Sequence, residues 1–127
     1  MTEHRTPLAR VRGLGSAKTG TAHFWHQRLT AVANVPLTIA FVLIVVALLG
    51  SNHAGAQRIL ASPLVAIVML LFIGSITYHM RIGMQVIIED YIHDEIAKLA
   101  LIMLNTFFAV AVALASAYAI FKLSFGV

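Results

Sequence analysis

The sequence contains no cysteine. This absence excludes disulfide bonds, iron–sulfur ligation and thiolate-bound metal, and it also excludes covalent haem attachment through a C-x-x-C-H motif. Any haem bound by this chain must therefore be held non-covalently.

Charged residues are scarce as well. Only 11% of the 127 residues are Asp, Glu, Lys or Arg, and 60% are hydrophobic, so that the mean hydropathy is +0.89. A water-soluble domain of this size does not have such a composition, which indicates an integral membrane protein. The length allows one small domain, and a bundle of this size exposes most of its surface to lipid or to other subunits. We therefore expect partner proteins in addition to the lipid bilayer.

The few charges are unevenly distributed along the chain. Nine Lys and Arg residues against five Asp and Glu residues give a net charge of +4. Five of the basic residues precede the first apolar run, namely Arg5, Arg10, Arg12, Lys18 and Arg28. Orientation in the bilayer explains this cluster better than nucleic-acid binding does. Residues 1–28 are therefore predicted to form a basic cytoplasmic arm, with no nucleic acid as a partner.

Three apolar runs follow the arm within a single domain, residues 29–127. About 20 apolar residues suffice to cross the hydrocarbon core, and each run is longer than that. The sequence predicts an all-α membrane protein with three transmembrane helices, at about 29–50, 63–88 and 96–121.

Two of these helices have recognisable start signals. Ser62 is predicted to cap the second helix, with Pro63 at its first position, and Asp94 is predicted to cap the third. The intervening segments, 51–61 and 89–95, are predicted to be connections.

The distribution of Lys and Arg also predicts the orientation. The arm and the flanks of the second connection hold most of these residues, and only Arg58 and Lys122 lie on the other side. Positive residues favour the inner side of a membrane. The amino terminus is therefore predicted to be cytoplasmic and the carboxyl terminus periplasmic, which places Asp90 and Tyr91 at the cytoplasmic edge.

His79 is the most informative residue because it lies within the second apolar run. An ionisable side chain inside a membrane span is costly unless it has a partner. Three roles are open from the residue alone: a hydrogen bond to another helix, a step in a proton relay, or metal ligation through a neutral imidazole.

The helical period relates His79 to its neighbours. At about 100° per residue, one face contains His79, Ile82, Gly83, Val86 and Asp90. Gly83 leaves room beside His79 for the flat edge of a macrocycle, although simple helix packing also explains this glycine. Because the chain offers one strong haem ligand, a six-coordinate iron needs its second ligand from another chain. Arg81 points roughly the opposite way and has no assigned role.

Two further positions lie where the membrane span meets water. Arg28, with His26, is suited to pair with haem propionates, although a positive-inside anchor is the alternative. Asp90 and Tyr91 combine a carboxylate with a phenol, and a quinone headgroup needs hydrogen-bond donors and a proton source on reduction. A helix end with an interfacial tyrosine is the simpler alternative.

These residues resemble a known family. The pattern His79-x-x-x-Gly83-Met84 followed by Asp90-Tyr91, on the second of three transmembrane helices, resembles the hydrophobic membrane anchor subunit of succinate dehydrogenase, the smaller anchor of respiratory complex II. The segment from His23 to Ala31 is similar to the version of this anchor found in alphaproteobacteria.

The resemblance implies a set of roles. His79 would be an axial ligand of the iron of haem b, Arg28 would lie near the propionates, and Tyr91 and Asp90 would border the ubiquinone pocket. The partners would be a companion cytochrome b anchor subunit, an iron–sulfur subunit and a flavoprotein subunit in a bacterial inner membrane, and this chain alone would have no activity. Two alternatives stay open: a fumarate reductase-type anchor, and a non-enzymatic scaffold or assembly protein in which His79 only links helices.

Overall fold

The structure is a computed structural model that describes residues 6–13 and 20–126. Every regular element in these ranges is an α-helix: α1 Pro7–Val11, α2 Gly20–Leu49, α3 His53–Leu60, α4 Pro63–Tyr91 and α5 Glu95–Phe125. The predicted all-α fold is confirmed. Arg5 and Lys18 of the predicted arm lie outside the described residues, as does Val127.

Three of the helices are long and apolar enough to cross a membrane: Thr21–Leu49, Pro63–Tyr91 and Glu95–Phe125, with 29, 29 and 31 residues. At about 1.5 Å per residue each is roughly 43–47 Å long, whereas the hydrocarbon core is about 30 Å thick. The excess length extends into the headgroup region or is accommodated by tilt. The chain is therefore a multi-pass membrane protein.

Two of the three predicted start signals, Pro63 and Asp94, are confirmed, and the predicted cap by the Ser62 side chain is wrong. Asp94 Oδ2 accepts a hydrogen bond of 2.7 Å from the backbone N–H of Ala97 at the start of α5. Pro63 occupies the first turn of α4 after an extended Ser62, whose side chain makes no capping bond. Gly126 ends α5 with a φ of 69°, in the left-handed region that glycine adopts without strain.

Helices α4 and α5 end three and four residues later than predicted, at Tyr91 and Phe125, so Asp90 and Tyr91 belong to α4 and not to the connection. Two other elements differ more. Helix α2 begins at Gly20 rather than at residue 29, so residues 20–28 of the predicted arm are helical. Residues 21–28 are too polar to extend the apolar run, but they contain no glycine or proline that would interrupt backbone hydrogen bonding. Helix α3 lies within the predicted connection, where Asn52 Oδ1 caps it by accepting a 2.8 Å bond from the N–H of Gly55.

Helix α4 is the centre of the packing. Both α2 and α5 pack against α4, and among the described residues they do not contact each other, so the three long helices form a row. Phe41 of α2 stacks on Phe72 of α4 with ring centroids 4.6 Å apart. In the described part of the chain, the buried side chains all belong to α4 and α5: Phe72, Thr77, Ile82, Ile88, Ala109 and Ile120. A row of helices leaves two broad faces for lipid or other subunits.

Candidate functional site

His79 connects α4 to α2 through Thr30. The Nδ1 atom of His79 lies 3.0 Å from Thr30 Oγ1. Thr30 Oγ1 donates its proton to the backbone carbonyl of His26 at 2.7 Å. A hydroxyl has only one proton, so while Thr30 donates to this carbonyl it can only accept from His79, and this arrangement requires the Nδ1–H tautomer of His79. In the neutral imidazole the lone pair is then on Nε2, the nitrogen that is not bonded to Thr30.

Gln27 is the hydrogen-bonding group nearest to that lone pair. Its Nε2 lies 3.5 Å from His79 Nε2, at the limit of a hydrogen bond. Its Oε1 is buried and has no hydrogen-bond partner within the described part of the chain. A buried amide oxygen without a partner is unusual and costly, so this side chain is the least satisfied group beside His79.

Gly83 lies next to the same amide. A Cβ atom added at Gly83 would be 3.4 Å from Gln27 Nε2, which is van der Waals contact. The sequence placed His79 and Gly83 on one face of α4, and the structure brings both against Gln27. Gly83 thus faces the Gln27 amide, and the space beside it is taken by that side chain.

An open groove lies between α2 and α4 beside these residues. Its volume is about 390 Å³, and it is lined by His23, Phe24, Gln27, Arg28, Ile82 and Val86. We call it the α2–α4 groove. The apolar lining from α4 comes from Ile82 and Val86, two of the four residues that the helical period grouped with His79. His79 and Gly83 are not among its lining residues, and Gln27 lies between them and the groove. Cofactor sites are usually apolar grooves with a few polar groups.

Arg28 lies at this groove on the exposed side of α2. Its guanidinium carbon is 4.4 Å from the centroid of the Phe24 ring, in a cation–π contact. No carboxylate pairs with Arg28 within residues 6–13 and 20–126, so its N–H donors are available to an anionic group in the groove.

His26 makes a second connection to α4 near the first. Its Nδ1 is 3.2 Å from the hydroxyl of Tyr78, and the two rings meet edge to face at 5.8 Å. With the Thr30–His79 bond, this contact fixes the register of α2 against α4. His26 is therefore occupied by Tyr78 and does not line the groove.

Asp90 and Tyr91 occupy a separate position at the end of α4. Both side chains are exposed, Tyr91 by 73%, and neither makes a hydrogen bond to another described residue. They lie about 16 Å along the helix from His79. The structure does not bring them into the groove, so they form a second, edge position.

Comparison with known proteins agrees with this architecture. A family model described as "Succinate dehydrogenase/Fumarate reductase transmembrane subunit" matches residues 2–113. The chain belongs to this family. The matched residues include His79, the residues that line the groove, and Asp90 and Tyr91. The resemblance inferred from the sequence is confirmed.

Individual relatives give the same result. The chain is 31% identical to the succinate dehydrogenase hydrophobic membrane anchor subunit of Paracoccus denitrificans, over 95% of this chain and 93% of the relative. It is 29% identical to the subunit of the same name from Rickettsia bellii, over 94% and 95%. It is 32% identical to the succinate dehydrogenase membrane anchor subunit of Reclinomonas americana, over 75% and 82%. No solved structure matches the chain significantly.

Sequence reasoning missed Gln27 and Thr30 in this family member. A signal was present, because Gln27, Thr30 and Asn34 are spaced i, i+3, i+7 and form one polar stripe on an apolar helix. The predicted start of the first helix at residue 29 obscured that stripe, since it placed Gln27 outside the helix.

Arg81, which had no assigned role, lies between α4 and α5. Its backbone carbonyl accepts a 2.9 Å bond from Asn105 Nδ2, and its Nε donates to Thr106 Oγ1 at 3.4 Å. It faces away from the groove, as the helical period predicted.

Proposed function

We propose that this chain is the membrane anchor subunit of a succinate:quinone oxidoreductase, that it supplies one axial ligand to haem b, and that it forms part of a ubiquinone-reduction site. The observation that carries the proposal is the state of His79. Its Nδ1–H is held by Thr30, which leaves the Nε2 lone pair directed to an incompletely bonded amide. Family membership and the names of the relatives support the same assignment.

The residues present fit a haem. A histidine that ligates a metal through one nitrogen nearly always donates its other N–H to an oxygen acceptor, as His79 does to Thr30. Gln27 Oε1, buried without a partner, belongs to a side chain that can move or re-pair when the groove is filled. His79 would hold the iron through Nε2, Arg28 would pair with a propionate, and Gly83 would give the macrocycle room. Bound haem supplies one-electron transfer.

The second axial ligand would come from another chain. His79 is the one histidine of α4, and α5 contains none. We assign the other ligand to the companion cytochrome b anchor subunit. Such a shared site makes haem binding dependent on assembly.

The quinone would bind at the edge formed by Asp90 and Tyr91. The Tyr91 hydroxyl would donate a hydrogen bond to one quinone carbonyl, and the Asp90 carboxylate would order the groups that deliver protons on reduction. Both side chains are exposed in the isolated chain, as expected if the rest of the pocket comes from the companion anchor and the iron–sulfur subunit.

The remaining steps belong to partners. A flavoprotein subunit would oxidise succinate, and an iron–sulfur subunit would deliver the electrons to the Asp90–Tyr91 edge. The positive-inside distribution of Lys and Arg supports a cytoplasmic position for that edge, in what would be a bacterial inner membrane. A fumarate reductase-type anchor is the second candidate, because the family description includes both enzymes. The quinone extracted with the purified complex, and its potential, would distinguish the two.

Purification through an affinity tag on this chain tests the anchor function. We expect a flavoprotein, an iron–sulfur protein and a cytochrome subunit to co-purify from membranes, together with succinate:quinone reductase activity and a b-type absorption spectrum. Isolation of the chain without these subunits and without haem would contradict the proposal and favour a scaffold protein.

A further inference from the structure

We propose that Thr30 is the positioning residue for His79: its hydroxyl fixes the tautomer and the ring plane of the imidazole and thereby influences the redox potential of the haem. This inference rests on the proposed ligand function of His79. It concerns a residue on a different helix, which contacts the histidine but not the iron.

The hydrogen bonds of Thr30 make it a fixed acceptor. Its Oγ1 lies 2.7 Å from the backbone carbonyl of His26 and 3.1 Å from that of Gln27, so the single hydroxyl proton is directed into its own helix. To donate to His79, the hydroxyl would have to give up both contacts. His79 Nδ1, at 3.0 Å, is therefore left as the donor, and Nε2 is the only nitrogen available to a metal.

The same contact restrains the orientation of the ring. A histidine in a metal site is fixed when one nitrogen binds the metal and the other holds a hydrogen bond to a rigid acceptor. Thr30 is part of a continuous helix, α2 Gly20–Leu49, and it is half-buried against α4. The plane of the imidazole thus depends on the packing of α2 against α4.

The chemistry of the acceptor determines the direction of the effect on the potential. A hydrogen bond accepted from Nδ1–H makes the imidazole a stronger electron donor, and a stronger donor stabilises ferric over ferrous iron. A neutral hydroxyl strengthens electron donation by the imidazole less than a carboxylate would. Removal of the Thr30 hydroxyl should therefore weaken the ligand and raise the midpoint potential of the haem.

Three variants of the assembled membrane complex test this inference. Thr30→Val removes the hydroxyl and keeps the shape of the side chain, and Thr30→Ser keeps the hydroxyl. The control, Thr38→Val, makes the threonine-to-valine change at an exposed position of α2. The readouts are a redox titration of the haem and the electron paramagnetic resonance spectrum of its ferric form, which responds to the plane of an axial imidazole. We expect a higher potential and changed g-values for Thr30→Val alone.

The outcomes separate this inference from the proposed function. A Thr30→Val complex with full haem content, an unchanged potential and an unchanged spectrum would overturn the role of Thr30 and leave His79 as a ligand. If the Thr30→Val complex loses haem, the same measurements are made on Thr30→Ala, because alanine removes the hydroxyl without placing a methyl group against the imidazole. Failure of Thr30→Ser to keep the wild-type potential and spectrum would also contradict the proposal. Haem retained unchanged in His79→Ala would instead refute the proposed ligand.

Discussion

Three polar atoms on α2 and α4 are buried without a hydrogen-bond partner in the described ranges: Gln27 Oε1, Asn34 Oδ1 and Ser75 Oγ. Such atoms are costly in a membrane, where no bulk water can reach them. For Gln27 the proposed haem environment supplies a reason, because the amide borders the groove that the macrocycle would enter. The structure gives no corresponding explanation for Asn34 or Ser75.

The edge position is tested by Tyr91→Phe. The substitution removes the hydroxyl and preserves the ring, so the quinone loses one hydrogen bond worth about 1 kcal/mol. We expect the succinate:quinone reductase rate to fall about fivefold. Succinate oxidation with an artificial dye acceptor should be unchanged, since that reaction does not need the quinone pocket.

The matched control for this substitution is Tyr118→Phe. Tyr118 is 69% exposed on α5, towards the end of the membrane opposite to Tyr91, and its loss of a hydroxyl should change neither activity. Equal losses of quinone and dye activity in Tyr91→Phe would show that Tyr91 supports assembly and not quinone reduction.

The residues of the candidate site were predictable to different degrees. His79 and Gly83 were grouped correctly, because the period of one helix is enough to place two residues of the same helix on one face. The polar stripe of α2 marks Thr30 in the sequence, but its contact with His79 depends on the register of α2 against α4, and hydrophobic periodicity contains no information on register. Gln27 was recognised as a candidate site residue only from the structure, in which its buried Oε1 has no described hydrogen-bond partner.

The contacts between elements explain Arg81, the one cation inside the span of α4. Asn105 and Thr106 of α5 bond to its carbonyl and its guanidinium. Polar contacts of this kind between membrane helices contribute about 0.6 kcal/mol each. Arg81 therefore links α4 to α5, while His79 links α4 to α2.

The start of α5 is tested by Asp94→Ala. Asp94 Oδ2 accepts the N–H of Ala97 at 2.7 Å, and loss of such a cap costs about 1 kcal/mol. We expect a lower temperature of thermal inactivation for the purified complex. Asp94→Ser retains a capping oxygen and should behave like the wild type, so an equal loss of stability in both variants would contradict the capping role.

Helix boundaries were predicted well where a local signal in the sequence sets them, and poorly where no such signal marks them. The starts of α4 and α5 were predicted within one residue, because Pro63 and Asp94 act through their own backbone and side-chain chemistry. The start of α2 at Gly20 was missed because an apolar run marks where a helix is in lipid, not where its hydrogen bonding begins. Helix α3 was missed because it is short and its cap, Asn52, was assigned to a connection.

The molecule as a whole is a row of three helices with little interior. Among the residues whose burial is described, the most buried apolar side chain is Ile82, with 2% exposure, and large hydrophobic residues are exposed along α2 and α5. Lipid covers some of this surface. The proposed haem site requires that a companion anchor covers the α2–α4 groove, and the proposed quinone site requires partner residues at the Asp90–Tyr91 edge. The orientation of the row, with Asp90 and Tyr91 on the cytoplasmic side, stays a prediction from the charge distribution.

The central claim is that His79 ligates haem b, and the reduced-minus-oxidised absorption spectrum of the purified complex tests it most directly. His53→Ala, at the start of α3, serves as the control and should retain the b-type signal. We predict that His79→Ala loses the six-coordinate low-spin b-type signal while the flavoprotein and iron–sulfur subunits remain present in the preparation. An unchanged b-type signal in His79→Ala at full complex yield would contradict the ligand assignment and, with it, the proposed haem site.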